Sequence, residues 1–188
     1  GAFRDGGGEG MIDPILILQA LYLMLPAYVA NMMPVVVRNL PVLSTPVDFY
    51  KRIGKFRIFG DHKTWRGIIF GVAGALFTSY LQYTYADSTS SIALIDYSNW
   101  ILIGVLLGGG ALLGDLIKSS VKRRCKIKEG KPFIPFDELD FIVGALVLLF
   151  FFYIPPVPVI VTILILSPLL HILTNHMAFY LHIRKEKW

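Results

Sequence analysis

The sequence predicts an all-α polytopic membrane protein with about five transmembrane helices, its N-terminus outside and its C-terminus in the cytoplasm. First, 55% of the 188 residues are hydrophobic and the mean hydropathy is +0.61, which exceeds the value expected of a soluble domain. Second, the apolar residues form runs of about 20, the length that a bilayer requires. Third, lysine and arginine are concentrated in alternating connections, as in proteins whose basic loops stay in the cytoplasm.

The apolar runs define the predicted spans in chain order. The first and the last each contain a proline, Pro26 and Pro168, at which we expect a kink. The third span is expected to continue as a helix beyond the membrane, to about Lys122. Glycines four residues apart should let helices approach closely. The predicted spans cover residues 12–37, 67–85, 97–113, 136–154 and 158–182, and the glycine pairs are Gly67 and Gly71, Gly104 and Gly108, and Gly110 and Gly114.

The remaining segments are assigned from composition. Residues 1–10 are glycine-rich and are expected to be a vector-derived remnant, with residues 11–188 forming a single membrane-embedded domain. Cys125 is the sole cysteine, so an intramolecular disulfide is excluded. The net charge of +5 is compatible with anionic lipid, whereas no nucleic-acid-binding motif is present, and we expect no nucleic-acid partner.

Two connections carry most of the lysines and arginines and are predicted to form cytoplasmic basic loops. They cover about residues 38–66 and 114–136, whereas residues 86–99 and 155–156 contain no lysine or arginine. Soluble nucleotides and Mg²⁺ are available on the cytoplasmic side. Phosphate chemistry at the membrane surface is therefore the first functional hypothesis.

An acidic pair introduces the fourth span. Asp137 and Asp140 are three residues apart, so they share one face of the first turn if that helix starts near Pro135. The uncharged run that follows, residues 141–154, is short for a span, which draws both carboxylates to the membrane interface. Hard oxygen ligands suit Mg²⁺, so we predict metal binding here, with simple helix capping as the alternative.

A polar stripe follows the third span. Asp115, Ser119 and Lys122 fall at helical spacing, so a carboxylate, a hydroxyl and an ammonium group face one side. They could serve a metal and a phosphate together. The alternative is a contact within the helix, between Asp115 and either Lys118 or Ser119.

The first basic loop ends in a dense group of polar residues just before the second span. Lys63 and Arg66 are suited to binding phosphate, and Thr64 can add a hydroxyl near a helix N-terminus, which itself attracts anions. The alternative is a segment that only sets topology. His62 is expected to form local hydrogen bonds.

The last span has one polar face, formed by His171, Asn175 and His182. Such residues face the interior of a helix bundle, as partners of neighbouring helices or as substrate contacts. The first role is slightly favoured, and the choice stays open.

Together these segments resemble the CDP-diacylglycerol synthases. Residues 119–123, S-S-V-K-R, match the S-x-x-K-R part of that family's signature, with Asp115 in the expected position before it. Residues 137–140, D-E-L-D, match its D-R-x-D part except that Glu138 replaces arginine. Residues 63–67, K-T-W-R-G, resemble its K-K-T-x-E-G segment.

Residues 60–67 and 135–141 are similar to the archaeal branch of that family, the CDP-archaeol synthases, and the resemblance extends over about residues 11–182. It implies transfer of CMP from CTP to an isoprenoid ether lipid phosphate in the cell membrane, with Mg²⁺ as cofactor and a homodimer as one option. The implied catalytic residues are Asp115, Asp137, Asp140 and Lys122. The implied metal ligands are Asp137 and Asp140, with Asp115 as a third candidate, and the implied phosphate-binding residues are Lys63, Thr64, Arg66, Ser119, Lys122 and Arg123.

Two other classes compete with this interpretation. A small membrane transporter or lipid translocator would place charged residues near the middle of several spans, whereas here they gather at one side. A CDP-alcohol phosphotransferase would carry a D-G-x2-A-R-x8-G-x3-D-x3-D pattern, which is absent.

Overall fold

The computed structural model describes residues 13–127, 131 and 133–180. Residues 1–10, His182 and the side chains of His171 and Asn175 lie outside the described part, so the predictions made for them stay predictions. The described chain is mostly helical. Its helices are α1 (Pro14–Val36), α2 (Trp65–Thr84), α3 (Trp100–Arg124), α4 (Phe136–Leu149) and α5 (Val157–Tyr180), with a short 3-10 helix at Tyr97–Asn99 before α3.

Each predicted span corresponds to one of these helices. By length and composition, α1 and the segment Tyr97–Arg124 could each cross a membrane, and Val157–Leu170 is a shorter apolar helix. The helix of α1 extends through Pro26, and that of α5 extends through Pro168.

The fourth helix begins at Phe136, as predicted, with Pro135 at its N-cap, but it ends earlier than predicted. At its other end α4 stops at Leu149 instead of continuing to residue 154, because the hydrogen bonds tighten there to three-residue spacing, with the amide of Phe152 donating to the Leu149 carbonyl at 2.8 Å. The prolines at 155 and 156 disfavour helix in the residues before them, which explains the early stop.

The helices form a bundle in which α3 packs on α2 and α4, α1 packs on α2, α3 and α4, and α5 packs on α1 and α4. The core is built from fully buried apolar side chains, among them Leu23, Ile103, Leu107 and Phe141. Because consecutive helices alternate in direction, the starts of α2 and α4 lie at the same end of the bundle as the end of α3. This end carries the basic residues.

Glycine sets the distance between α3 and α4. A Cβ added to Gly110 would meet the backbone of Gly144 and Ala145, and one added to Gly114 would collide with the Asp140 carbonyl. The prediction that the glycine pair at 110 and 114 marks a close helix contact is therefore confirmed.

The first basic loop has a defined structure that the sequence analysis did not predict. Strands β1 (Arg52–Ile53) and β2 (Phe56–Arg57) form an antiparallel hairpin. The buried carboxylate of Asp48 accepts hydrogen bonds from the Arg57 guanidinium and from the amides of Tyr50 and Phe59. This loop is therefore held around one buried ion pair.

The loop is also attached to α2, which follows it, and to the end of α3. The amide of Val47 donates to the Lys63 carbonyl at 2.8 Å, and the amide of Trp65 donates to the Thr45 carbonyl at 3.0 Å. The guanidinium of Arg124, at the end of α3, donates to the carbonyl of Arg57 at 3.1 Å. The two basic segments are consequently in direct contact.

Candidate active site

The candidate site lies where the start of α2, the end of α3 and the start of α4 meet. At its centre is the ammonium group of Lys118 on α3. Its Nζ lies 3.0 Å from Asp137 Oδ1, 3.0 Å from Asp140 Oδ2 and 3.3 Å from Asp115 Oδ1. We call these four residues the Lys118 cluster. Packing of α3 against α4 thus brings the sequence-predicted aspartates of the two helices together.

Two further lysines surround the cluster. Lys63, which precedes α2, contacts Asp115 Oδ2. Lys122 lies one turn beyond Lys118 on α3, and its Nζ is 3.0 Å from both carboxylate oxygens of Asp137 and 2.7 Å from the Lys131 carbonyl. Lysine and aspartate charges therefore balance in this group of side chains.

Local backbone contacts fix the two aspartates of α4. Asp137 Oδ2 accepts from the Phe133 amide at 2.6 Å, and Asp140 Oδ1 accepts from the Phe141 amide at 2.7 Å. The Asp140 side chain is only 5% exposed, and its Oδ2 is buried with no hydrogen bond beyond the ion pair to Lys118. Such a buried carboxylate oxygen is stable only beside a cation.

The predicted residues near α2 have separate roles in the structure. Thr64 is the N-cap of α2, and its Oγ1 accepts from the Gly67 amide at 3.4 Å. Together with Lys63 and Asp115 it lines a small cleft between α2 and α3. Arg66 instead donates to the Leu40 carbonyl just beyond α1, so its described contact joins the loop to α2 rather than joining the Lys118 cluster.

On α3 the predicted site residues are Asp115, Ser119, Lys122 and Arg123, and Lys118 is not among them. Ser119 and Lys122 are buried, and Arg123 is half-buried. The signal for Lys118 was present, because it lies three residues after Asp115 and four before Lys122. The contact between Asp115 and Lys118 was considered as an alternative to a functional site; the structure shows that the same contact is part of the cluster.

The donors of the Lys118 cluster are of the chemical type that Mg²⁺ prefers. Carboxylate oxygens of Asp115, Asp137 and Asp140 surround one cation, and Asp140 Oδ2 is buried without a hydrogen bond. As placed, no group of at least three His, Cys, Asp or Glu side chains within the described ranges could hold a metal ion. The carboxylate oxygens suit Mg²⁺ by their chemistry, but their present arrangement is occupied by Lys118, which lies at the centre.

An apolar stripe runs along a different face of α3. Leu113, Ile117 and Val121 are spaced four residues apart and are 48%, 64% and 44% exposed. These side chains lie on the outer surface of the bundle. The same helix thus carries an exposed apolar face as well as charged groups that suit phosphate.

Comparison with known proteins first identifies a fold shared with an intramembrane enzyme. A solved structure described as an intramembrane enzyme for archaeal membrane lipids biosynthesis has the same fold, with a TM-score of 0.69 and 32% sequence identity. The match covers 85% of this chain and 94% of that one.

Sequence comparison then identifies the family. Residues 11–188 match the model of the CarS-like family, described as CDP-archaeol synthase. The CDP-archaeol synthase of Methanococcus maripaludis is 35% identical, covering 93% of this chain and 98% of the relative, and that of Archaeoglobus fulgidus is also 35% identical, covering 95% and 100%. The chain belongs to the CDP-archaeol synthase family, which confirms the resemblance found in the sequence.

Proposed function

We propose that this chain transfers CMP from CTP to an unsaturated archaetidic acid, 2,3-di-O-geranylgeranylglyceryl phosphate, which forms CDP-archaeol and releases pyrophosphate. Membership of the CDP-archaeol synthase family supports the overall reaction. The observation that carries the chemistry is the convergence of lysines and aspartates from three segments on one end of the bundle.

The reaction joins the lipid phosphate to the α-phosphate of CTP. An oxygen of the lipid phosphate attacks the α-phosphorus, and the bond from that phosphorus to the oxygen bridging it to the β-phosphate breaks. The electron pair leaves with pyrophosphate. A phosphate monoester is already anionic near neutral pH, so the attack needs no general base. Positioning and charge stabilisation are therefore the main tasks of the protein.

The lysines are suited to those tasks. In the proposed complex Lys63 and Lys122 bind phosphate oxygens of CTP and of the lipid, because each carries its ammonium group to the edge of the cluster. Thr64 and Ser119 supply hydroxyl groups beside them. Arg66 and Arg123 add positive charge around the cleft, and the described contact of Arg66 gives it a further role in holding the loop.

The aspartates would hold the cofactor. Asp137 and Asp140, with Asp115 as the third ligand, would bind Mg²⁺, which when bound supplies positive charge against the phosphate oxygens. The oxygen donors of the cluster support this assignment. The protein contributes the fixed separation of α3 and α4 that keeps the three carboxylates together.

The proposed membrane placement has all of the major helices crossing the bilayer, with the basic end in the cytoplasm. The distribution of lysine and arginine supports this orientation. The exposed stripe of Leu113, Ile117 and Val121 would face lipid chains. The transporter alternative is not supported, since the relatives that share nearly the whole chain are synthases.

The direct test uses purified protein with CTP labelled at the α-phosphate, Mg²⁺ and the lipid phosphate. We expect label to enter the organic phase and unlabelled pyrophosphate to appear in equal amount. Omission of the lipid phosphate is the matched control. Retention of all label in the aqueous phase by folded protein would reject the proposal.

A further inference from the structure

Lys118 lies at the point on which three carboxylates converge. One oxygen from each of Asp115, Asp137 and Asp140 is directed at its ammonium group, at 3.0 to 3.3 Å. The Lys118 side chain is 15% exposed, so the contact is largely shielded from water. An exposed ion pair contributes little energy because water surrounds both charges, and this cluster differs in being shielded from water.

The three carboxylates need a cation to lie so close together. Like charges repel, and more strongly where water is excluded. Lys63 and Lys122 each contact one aspartate, whereas Lys118 contacts all three. The lysine at the centre therefore gives the carboxylates their mutual arrangement.

A divalent cation that binds all three carboxylates would compete with Lys118 for them, because their other oxygens already contact Lys63, Lys122 and the Phe141 amide. Asp140 Oδ2 makes this clearest, because it is buried and its described contact is with Lys118. The ammonium group and the metal ion would also repel each other at that distance. Both cannot occupy the centre of the cluster at once.

We propose that Lys118 is a tethered cation that holds the three aspartates together in the resting enzyme and is displaced when a divalent cation binds. This inference rests on the proposed function, because it assumes that these aspartates receive the metal ion. Lys118 is a positioning residue in this scheme. It competes with the metal ion before the substrates arrive, and its flexible stem keeps the displaced ammonium group near incoming phosphate oxygens.

Metal binding without nucleotide tests the competition. The probe is Mn²⁺, with free ion measured by electron paramagnetic resonance for wild type, Lys118→Met and the control Lys126→Met. Lys126 is an exposed lysine just beyond α3, so its removal changes net charge equally. Loss of one competing charge-assisted contact should tighten Mn²⁺ binding about tenfold or more in Lys118→Met. Unchanged or weaker binding in folded Lys118→Met would overturn the proposal.

The wild-type protein provides a second measurement that does not depend on a variant. The Lys118 amine is acetylated with a water-soluble ester, and its modification is read by mass spectrometry with and without saturating Mg²⁺. Displacement from the cluster should increase Lys118 labelling several-fold, while Lys126 labelling stays constant. Labelling of Lys118 that is unchanged or reduced by Mg²⁺ would contradict displacement.

Failure of this inference differs from failure of the proposed function. CDP-lipid formation by wild type is measured separately, and its absence would reject the function while the Mn²⁺ titration still decides the role of Lys118. An active wild type with equal Mn²⁺ affinity in Lys118→Met would reject the inference alone.

Discussion

Gly114 on α3 lies against the main-chain carbonyl of Asp140 on α4. This contact sets the separation of the two helices that carry the aspartates. We predict that Gly114→Ala forces the helices apart and costs about 1–3 kcal/mol of stability, as overpacking usually does. A displacement of about 1 Å should also lower kcat/KM on the order of 100-fold. Thermal unfolding and steady-state rates measure the two effects.

Gly109 provides the matched control. It lies on the same helix, and a Cβ added there would meet nothing within 4 Å. Gly109→Ala should leave activity intact and change stability by less than about 1 kcal/mol, in the stabilising direction if at all. Equal losses in both variants would show that helix packing at Gly114 does not specifically support the site.

The second prediction concerns the aspartates of α4. Asp137→Asn and Asp140→Asn should each abolish turnover while the protein still folds, because an amide cannot replace a carboxylate charge in the cluster. EDTA should inactivate the wild type, with recovery when Mg²⁺ is added. Asp87→Asn, an exposed residue between α2 and α3, is the control and should retain full activity. Normal turnover in either folded α4 variant contradicts the assignment.

The third prediction concerns the nucleotide. Lys63→Ala should lower kcat/KM for CTP by about 10- to 150-fold, since one charge-assisted phosphate contact is worth about 1.5–3 kcal/mol. The described contact of Arg66 is with a backbone carbonyl, so Arg66→Ala should have a smaller effect on CTP and a larger one on thermal stability. Lys55→Ala, in the exposed hairpin turn, is the control. A CTP dependence that is unchanged in both test variants would remove this loop from the active site.

The fourth prediction concerns the buried ion pair in the first basic loop. Burial would raise the pKa of Asp48, but the hydrogen bonds and charge of Arg57 and the amides of Tyr50 and Phe59 outweigh burial and lower it. Asp48→Asn should increase trypsin cleavage in the loop several-fold at pH 8. Asp61 is the control. It is an exposed second partner of Arg57, so Asp61→Asn removes a surface ion pair that contributes little to stability. Cleavage at the wild-type rate in Asp48→Asn would show that the pair does not hold the loop.

The same pKa shift fixes the direction of the pH dependence. Because the folded-state pKa of Asp48 is lowered, its contribution to stability is complete above the unfolded value of about 3.9 and is lost as the pH falls through the folded value. The thermal midpoint difference between wild type and Asp48→Asn should therefore be constant near neutral pH and shrink below about pH 4. A difference that grows on acidification would contradict this explanation.

The fifth prediction concerns orientation. Ser90 lies between α2 and α3, and Cys125 lies just beyond α3 at the basic end; both are exposed. With Cys125 replaced by serine, Ser90→Cys should react with an impermeant maleimide in intact cells. The natural Cys125 should react only after permeabilisation, and it serves as the internal comparison. The reverse pattern would invert the proposed topology.

The sequence was sufficient to predict the helices and the shared helix face of Asp137 and Asp140. Spacing of three along a helix placed Asp137 and Asp140 on one face, and the contact of both with Lys118 agrees with that expectation. The glycines of α3 indicated a close helix contact in the same way. These predictions depend on the spacing of residues along one helix, and that spacing can be read from the sequence.

The central position of Lys118 and the hairpin between α1 and α2 could not be predicted in the same way. Lys118 lies on α3 and contacts two aspartates of α4, so its position depends on how closely the two helices pack. The hairpin is only a few residues long and is fixed by Asp48 binding Arg57, nine residues later in the chain. Contacts of this kind arise from tertiary packing, for which a single sequence carries little periodic signal.

The exposed stripe of Leu113, Ile117 and Val121 has a kinetic consequence. A helix whose exposed face contacts lipid chains lies within the bilayer, so a lipid substrate and its product reach and leave the protein by diffusion in two dimensions, without passing through water. The rate should then follow the mole fraction of lipid phosphate within the bilayer or micelle rather than its bulk concentration. Added inert detergent should slow the enzyme by dilution alone, and the soluble nucleotide should be unaffected by that dilution.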